Sequence, residues 1–288
     1  MPYSGNGQVT LSKEEGSDFA GLNLVGNPFS VIAYPNKAFY VLNSNGDAME
    51  MEVSTRTSVE AMEGIFVVAE TDGETMTFST TAPESNGGAL NINALRQGSR
   101  VDLARVRFGS NSSLPKMQLN PRHTKVYIPQ ESKDYAVVSA QGEVGEMPVS
   151  FKAEENGTYT LSFTNEEVTF SYLHLIDNMT GTDIDLLANP TYSFDARTTD
   201  YESRFRLVFA TGSSVDGDSF GFINGMGNLT IFGIEGEATL QVIDVTGRML
   251  SSETFSGSYE KRLNVAPGVY MLRLINGNDV KVQKMVVR

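Results

Sequence analysis

Hydrophobic and polar positions alternate with a period of two along most of this chain. Short segments rich in Val, Ile, Phe, Tyr and Thr recur roughly every ten residues, with Gly, Asn, Asp and Ser clustered between them. Successive side chains of a β-strand point to opposite faces, so this alternation places one face of each strand against a core. Turn residues at this spacing are typical of β-sandwiches. The pattern therefore predicts an all-β chain of tandem antiparallel β-sandwich domains.

The predicted strands before residue 210 are residues 38–42, 64–69, 75–79, 101–108, 125–128, 135–139, 149–153, 157–163, 168–176 and 204–209. Helical periodicity is nearly absent. Residues 58–62 and 89–95 are the two segments whose apolar spacing suits a helical turn, and neither predicts a full helix.

Three turns have a physical basis in their sequence. Asn156-Gly157 lies between the strands 149–153 and 158–163, and glycine accepts the positive φ that a tight hairpin turn demands. Residues 177–181 (DNMTG) join two strands in the same way, and residues 276–279 (NGND) join the last two. Each of these turns predicts a β-hairpin.

Two polar, glycine-rich segments divide the chain. They are residues 83–89 (PESNGGA) and residues 211–219 (TGSSVDGDS), and residues 220–228 extend the second. We therefore expect a β-rich unit over residues 1–82, a β-sandwich over residues 90–210 and a third domain over residues 229–288. Because the first unit is short, we expect it to dock on the second.

The net charge of −13 argues against binding to nucleic acid, because phosphate contacts need a basic stripe and the sequence shows none. An anionic membrane surface would repel the chain for the same reason. The charge is also unevenly distributed. Residues 229–288 contain 7 Lys/Arg and 6 Asp/Glu, which gives +1, and the rest of the chain carries −14.

The chain contains no cysteine, which excludes a disulfide scaffold, a thiolate zinc site and a cysteine nucleophile. No apolar segment approaches the roughly 20 residues of a membrane span. The first residues, MPYSG, have neither the basic start nor the apolar core of a signal peptide. We expect the chain to be a fragment of a longer exported protein, with no cofactor.

Residues 229–288 predict a small antiparallel sandwich of their own. The strand 238–248 runs into a turn at Thr246-Gly247, and the strand 248–255 follows. A third strand, 261–265, ends before Pro267-Gly268. Residues 269–275 alternate Val, Met, Arg and Ile on one side with Tyr, Leu and Leu on the other, as a packed strand does, and residues 280–287 complete the set.

Three short motifs of this domain resemble the C-terminal sorting domain of the type IX secretion system, which is found in the phylum Bacteroidetes. They are the strand and turn VIDVTGR (residues 242–248), the segment APGVY (266–270) and the terminal KMVVR (284–288). Each motif alone has low specificity. Their order, their spacing and their position at the end of the chain all fit the family.

The resemblance implies an immunoglobulin-like sandwich that an outer-membrane translocon recognises. It also implies that the folded cargo crosses the periplasm and is released or tethered to surface lipopolysaccharide, often after the domain is removed. The residues that the resemblance assigns to the sorting signal are Asp244, Thr246, Gly247, Arg248, Pro267, Gly268, Tyr270 and Lys284. The motifs also build β-turns, but turns alone do not explain why the set ends at the chain terminus.

The rest of the chain is more loosely similar to the β-rich segments that precede such domains in large surface proteins of Bacteroidetes. The similar segments are residues 23–29 (NLVGNPF), 62–67 (MEGIFV) and 172–181 (YLHLIDNMTG). This similarity implies a location at the cell surface and no particular chemistry.

Two histidines are candidates for a catalytic or metal-binding role. His123 lies in the segment NPRHT, at a loop or the entry to a strand, and His174 lies on the strand face opposite Leu173 and Leu175. The sequence favours a packed or hydrogen-bonded sheet histidine for His174. No metal-ligand spacing and no GxSxG or HExxH motif accompanies either residue.

Two pairs of aspartates are the carboxylate candidates. Asp183 and Asp185 share one strand face, where a spacing of about 7 Å fits neither calcium nor a glycosidase pair specifically. Asp216 and Asp218 lie in the second glycine-rich segment and lack the other ligands of a calcium-binding loop. Solvated carboxylates are the favoured interpretation of both pairs.

The sequence leaves three hypotheses for function. The leading one is a non-catalytic C-terminal region of a secreted or surface-anchored protein, whose last domain directs export. The alternative is an adhesin or glycan-binding module exported by the same route, with a host or surface glycan or protein as its partner; the 16 Phe and 11 Tyr offer faces for sugar stacking. A hydrolase is disfavoured, because no nucleophile and general base can be identified.

Overall fold

The computed structural model of the chain describes residues 7–45, 48–83, 88–109, 112–130, 132–140, 144–211, 221–223, 228–231, 234, 236–257 and 259–287. Strands make up 60% of the protein, and this part of the chain contains no helix. The all-β prediction is confirmed. Within the same residues, no helix has the length and apolar character needed to cross a membrane.

The chain forms two compact units. One consists of Met1–Gln141, Met147–Val168 and Ile176–Arg206, and the other consists of Gly142–Glu146, Thr169–Leu175 and Leu207–Arg288. The glycine-rich segments 83–89 and 211–219 fall mostly outside the described residues, so the predicted division into three domains stays a prediction.

The N-terminal residues form two antiparallel sheets. Their strands are β1 (Gln8–Thr10), β2 (Leu22–Gly26), β3 (Tyr34–Pro35), β4 (Tyr40–Asn45), β5 (Ala48–Val53), β6 (Gly64–Val68) and β7 (Thr75–Ser79). The order is β1-β7-β3 in one sheet and β2-β6-β4-β5 in the other. Buried side chains of these strands and of the segments between them form one cluster that includes Leu11, Ala33, Ile65, Val67 and Met76.

The next strands pair into one large sheet. They are β8 (Ala89–Arg96), β9 (Ser99–Arg107), β10 (Leu114–Pro115), β11 (Lys125–Gln130), β12 (Lys133–Ser139), β13 (Val144–Lys152), β14 (Gly157–Glu166), β15 (Phe170–Asp177), β16 (Thr182–Asp185), β17 (Thr191–Ala196) and β18 (Phe205–Thr211). The order is β16-β15-β18-β13-β11-β12-β9-β8-β14-β17, with β10 against β12. One pair, β9 and β12, runs parallel, which the prediction of antiparallel sheets did not include.

Aromatic side chains from strands that are distant in this sheet pack together. The ring of Phe194 on β17 lies 5.0 Å from that of Phe151 on β13 and 4.9 Å from that of Phe205 on β18, both edge to face. Tyr159 on β14 packs 5.1 Å from Phe151. Because β17 ends the sheet order and β13 lies near its middle, the sheet folds over and encloses a core, as in a sandwich.

The N-terminal strands share a second core with the large sheet. Tyr40 on β4 packs with Leu103 on β9 and Val137 on β12 in one buried cluster. The Tyr40 hydroxyl donates to the carbonyl oxygen of Pro115 at 2.6 Å and accepts from the N–H of Met117 at 2.8 Å. The N-terminal part therefore docks on the large sheet through both apolar and polar contacts.

A buried ion pair joins the end of β15 to the residue before β18. The side chains of Arg204 and Asp177 are 4% and 0% exposed, and their closest N–O distance is 2.8 Å. The Tyr192 hydroxyl and the Met179 N–H also donate to the Asp177 carboxylate. Burial raises the pKa of Asp177, but the hydrogen bonds from these three residues outweigh it and hold the pKa below its usual value.

The C-terminal strands form two more sheets. They are β19 (Gly221–Ile223), β20 (Asn228–Ile231), β21 (Glu237–Asp244), β22 (Met249–Ser256), β23 (Tyr259–Arg262), β24 (Gly268–Asn276) and β25 (Asp279–Val287). The order is β19-β20-β23 in the first sheet and β22-β21-β24-β25 in the second. All the described pairs are antiparallel.

The two C-terminal sheets have a core of their own. Its buried residues are Leu229, Ile231, Ala238, Leu240, Val242, Leu263, Tyr270, Leu272, Leu274, Met285 and Val287. Along β24 every second residue from Tyr270 to Leu274 is buried, and the residues between are more exposed. The alternation predicted for residues 269–275 is thereby confirmed.

Two of the three predicted hairpins are present. β15 and β16 pair across residues 178–181, and β24 and β25 pair across residues 277–278. The third prediction is wrong. The strands that flank Asn156-Gly157 do not pair, because β13 lies between β11 and β18 whereas β14 lies between β8 and β17. Turn residues favour a local backbone conformation, but they do not by themselves determine which strands pair.

Removing one member of the buried ion pair is expected to destabilise the fold. Arg204→Met leaves the Asp177 carboxylate buried without its cation, so the free energy of unfolding should fall by about 3–5 kcal/mol. Adding Asp177→Asn removes that charge and keeps an acceptor for Tyr192, so the double variant should regain about 1–2 kcal/mol. Urea unfolding followed by circular dichroism measures both. A double variant no more stable than Arg204→Met would contradict this account.

Candidate functional site

The turn between β21 and β22 is built around the carboxylate of Asp244. Its Oδ1 accepts hydrogen bonds from the Thr246 N–H at 2.9 Å, the Thr246 hydroxyl at 2.6 Å and the Arg248 N–H at 3.0 Å. Its Oδ2 accepts from Arg248 Nε at 3.1 Å. Gly247 has a φ of +84°, a conformation that favours glycine. Four of the predicted signal residues therefore form one turn.

These hydrogen bonds stabilise the charged form of Asp244. The Thr246 hydroxyl has the largest effect on its pKa. Burial opposes it, and the N–H groups of Arg248 and Thr246 and the Arg248 side chain add to the lowering, which brings the pKa to about 2 from an ordinary value of 3.8. The turn is therefore organised by an ionised carboxylate at neutral pH.

Tyr270 secures the chain where it enters β24. Its hydroxyl donates to the carbonyl oxygen of Ala266 at 2.6 Å, which closes the segment that contains Pro267 and Gly268. Its ring is buried in the C-terminal core. A methyl group on Gly268 would lie 3.6 Å from the Tyr270 ring, an ordinary contact, so neither space nor positive φ requires glycine there.

Strand pairing brings the three motifs to one end of the four-stranded sheet. Asp244 on β21 lies opposite Tyr270 on β24, and Tyr270 lies opposite Met285 on β25. At the same end, Gly268 lies opposite Val287. Motifs that are well separated in the sequence thus become neighbours, which sequence spacing alone does not establish.

The predicted signal residues divide between the interior and the surface of this end. Tyr270 is buried, whereas the side chain of Arg248 is 75% exposed. Thr246, Pro267 and Lys284 are exposed as well. The exposed residues are the ones that another protein can contact.

A groove of about 530 Å³ opens beside the exposed motif residues. Leu263 and Tyr270 supply apolar surface, and Arg248, Lys261 and Arg262 supply positive charge. Lys261 forms an ion pair with Glu253, which lies outside the groove lining. No Asp or Glu is among the described residues that line the groove, so its surface combines apolar and cationic groups.

The C-terminal strands thus form a small two-sheet antiparallel domain whose motifs lie at one end. Residues 225–288 match the family model of the secretion system C-terminal sorting domain. These residues are therefore a type IX sorting domain, as the three motifs predicted. The protein is exported to the outer cell surface or secreted, and its sorting domain interacts with the type IX machinery. No curated protein and no solved structure matches the chain.

Each histidine has a structural neighbour. His123 Nδ1 lies 3.6 Å from Glu50 Oε1, and this part of the chain is a turn before β11. The ring of His174 on β15 stacks on that of Tyr172, with 4.1 Å between the ring centroids. Among the described residues, no three His, Asp or Glu side chains gather in a way that could hold a metal ion.

The structure describes one of the two pairs of candidate aspartates. Asp183 and Asp185 lie on β16, and both are exposed. Asp185 Oδ1 accepts from the N–H groups of Leu187 at 2.8 Å and Ala188 at 3.3 Å, so its carboxylate organises the turn that follows. Asp216 and Asp218 lie outside the described residues.

Residues 1–228, here called the body, contain a cleft lined by cations that was not predicted from the sequence. This cation-lined cleft has a volume of about 210 Å³ and includes Lys37, Arg56, Arg105 and Arg107 in its lining. The four residues come from β9 and from the segments that follow β3 and β5. Two arginines on the same face of one strand, in a body of charge −14, were the available signal.

The Asp244 turn is expected to weaken in acid. A carboxyl whose pKa is lowered by folding contributes stability above its ordinary pKa, and that contribution is lost as the pH falls. For Asp244 the window runs from 3.8 down to about 2. Asp244→Asn should therefore speed amide exchange in β21 and β22 of the full chain near neutral pH.

The difference in exchange between the native chain and Asp244→Asn should shrink through this pH window, measured by mass spectrometry after correction for intrinsic exchange rates. Asp279→Asn, at the hairpin between β24 and β25, is the matched control and should leave the Asp244 turn unchanged. A difference that stays constant down to about pH 2 would show that the ionised carboxylate does not hold the turn.

Proposed function

We propose that this chain is the non-catalytic C-terminal region of a Bacteroidetes surface or secreted protein, with residues 225–288 as its export address. The observation that carries the proposal is the gathering of the three motifs at one end of the sheet β22-β21-β24-β25. The paired sheets with a shared core support an immunoglobulin-like sandwich for this domain.

The surface for recognition by the translocon is the exposed part of this motif-bearing end. Arg248 and Lys284 are exposed, and the groove beside Arg248 adds apolar surface. Buried Tyr270 and the Asp244 carboxylate act indirectly, because they hold the exposed residues in place. An acidic partner surface with apolar anchors would complement this end.

A non-catalytic body is supported by the roles that the candidate residues already have. His174 packs against an aromatic ring, and His123 lies beside a carboxylate in a turn. Asp185 organises a turn, and Asp177 is committed to the buried ion pair with Arg204. These contacts account for the positions of these side chains without a reaction.

A second candidate function is a binding module, in which the body attaches the exported protein to a glycan or a protein. The observation that favours it is the cation-lined cleft, because a concave site with converging polar groups is the usual form of a ligand site. The two functions are compatible, since one belongs to the sorting domain and the other to the body.

Export is expected to depend on residues 225–288. In a type IX-competent host, the chain preceded by a Sec signal should reach the surface or medium, and the chain without these residues should accumulate in the periplasm. The converse fusion protein, a Sec signal and a fluorescent protein followed by residues 225–288, should be exported. Cell fractionation and immunoblotting measure both. Export of the truncated chain at the intact level would refute the sorting role.

The exposed cations of the motif-bearing end are expected to contribute to export, and Arg248 also forms an ion pair with Asp244 within the turn. Arg248→Gln combined with Lys284→Gln should lower the exported fraction roughly tenfold, as expected for the loss of two charged contacts. Arg273→Gln is the control, because Arg273 is exposed on β24 away from the motif end. Equal export of the double variant and the control, with both folded, would show that these cations are not recognised.

A further inference from the structure

The cation-lined cleft has a charge opposite to that of the body around it. Its lining contains Lys37, Arg56, Arg105 and Arg107, and no Asp or Glu is among the described residues that line it. Residues 1–228 together carry a net charge of −14. Four cations are therefore gathered in one concavity of an acidic body, and three of them have a carboxylate partner outside the lining.

Arg105, one of the residues that line this cleft, is held in place by hydrogen bonds. Its side chain is 7% exposed. Nη2 donates to Glu166 Oε2 at 2.7 Å, and Nη1 donates to Asn91 Oδ1 at 2.9 Å. The ion pair with Glu166 balances much of the Arg105 charge, and a guanidinium group fixed in this way loses little conformational entropy when a ligand binds.

Arg107 lies two residues further along β9, on the same strand face as Arg105. Burial and the positive charge of Arg105 both lower the pKa of Arg107, and Glu166 acts against them. The two guanidinium groups therefore repel each other in a partly buried position. An anion in the cleft would relieve this repulsion, because it would attract both groups.

The other two cations of the lining each have a carboxylate partner outside it. Arg56 pairs with Glu63 at 2.6 Å, and Lys37 pairs with Glu74. These ion pairs orient Arg56 and Lys37. Arg105 and Arg107 both interact with Glu166, Arg105 through a hydrogen bond and Arg107 through electrostatic attraction.

Hydroxyl groups and an aromatic ring complete the lining. Thr55 and Thr57 are polar contacts for neutral ligand groups, and Tyr34 adds a ring. Sugars bind to proteins through such hydroxyls and through stacking on aromatic faces. The volume of about 210 Å³ lies below the roughly 300–1,000 Å³ of sites for drug-sized ligands, so the cleft suits a single ring.

From these observations we infer that the cation-lined cleft binds one acidic sugar residue, with its carboxylate or sulfate group against Arg105 and Arg107 and its hydroxyls towards Thr55 and Thr57. This inference rests on the second proposed function, in which the body is a binding module. It is independent of the sorting domain, so a failure of export would not contradict it.

The test measures binding of four sugars to the purified full chain by saturation-transfer NMR and isothermal titration calorimetry. Glucuronate and N-acetylneuraminate carry a carboxylate, galactose 6-sulfate carries a sulfate, and galactose is neutral. At least one acidic sugar should bind at least tenfold more tightly than galactose, and the carboxylate and sulfate arms identify the acidic group. Added salt should weaken this binding.

Variants connect the binding to the cleft. Arg107→Gln should weaken binding of the acidic sugar about tenfold, and Arg107→Lys should weaken it less because it keeps the charge. Arg197→Gln is the matched control, since Arg197 is exposed outside the cleft lining. If Arg107→Gln does not fold, Arg56→Gln, at a half-exposed position, should still weaken binding severalfold.

Two results would overturn the inference. One is that no acidic sugar binds more tightly than galactose at millimolar concentration. The other is that the folded cleft variants bind the acidic sugar as tightly as Arg197→Gln does, which would place the sugar elsewhere on the chain. Both measurements use purified protein without a secretion host, so they leave the export function untouched.

Discussion

Buried peptide groups need hydrogen-bond partners, and strand pairing is how this chain supplies them, since the described residues contain no helix. A buried segment is therefore stable only when another strand lies beside it. β8 has β9 on one side and β14 on the other, although β14 is far away in the sequence. The parallel pairing of β9 with β12 follows the same requirement. The body thus depends on long-range pairing, and without cysteine no disulfide reinforces it.

Local features of the sequence predicted local features of the structure. The alternation of Tyr270, Leu272 and Leu274 identified the buried face of β24, and the turns 177–181 and 276–279 identified two hairpins. Such local patterns did not predict which distant strands pair. The predicted hairpin at Asn156-Gly157 is the example, because the strands that flank it do not pair. That turn was predicted from residues that favour it, but β13 pairs with β11 and β18, whereas β14 pairs with β8 and β17. The cation-lined cleft was missed for the same reason, since Lys37 and Arg56 reach β9 only through docking of the N-terminal strands.

In the sorting motifs, residues that stabilise the fold and residues that are exposed at the surface lie next to one another. Asp244 organises the turn that presents Arg248, and Tyr270 closes the segment that presents Pro267. A motif of this kind cannot be divided into structural and recognition positions by sequence alone, because both classes occur in one strand and turn. Burial separates them: Tyr270 belongs to the core, and Arg248 belongs to the surface. Gly268 fits neither class, because neither its backbone conformation nor the space around it requires glycine.

The motif-bearing end of the sorting domain and the cleft of the body differ in the net charge around them, so a charged partner approaches each under a different long-range force. The sorting domain carries +1 over residues 229–288, so an acidic partner meets little long-range repulsion as it approaches the motif-bearing end. An anionic ligand approaches the body against a charge of −14. At physiological salt this repulsion is screened beyond about 8 Å, whereas contacts with the partly buried Arg105 and Arg107 are screened much less. Recognition of an anion by the body must therefore come from short-range contacts inside the cleft, and affinity there is decided by geometry rather than by electrostatic attraction from a distance.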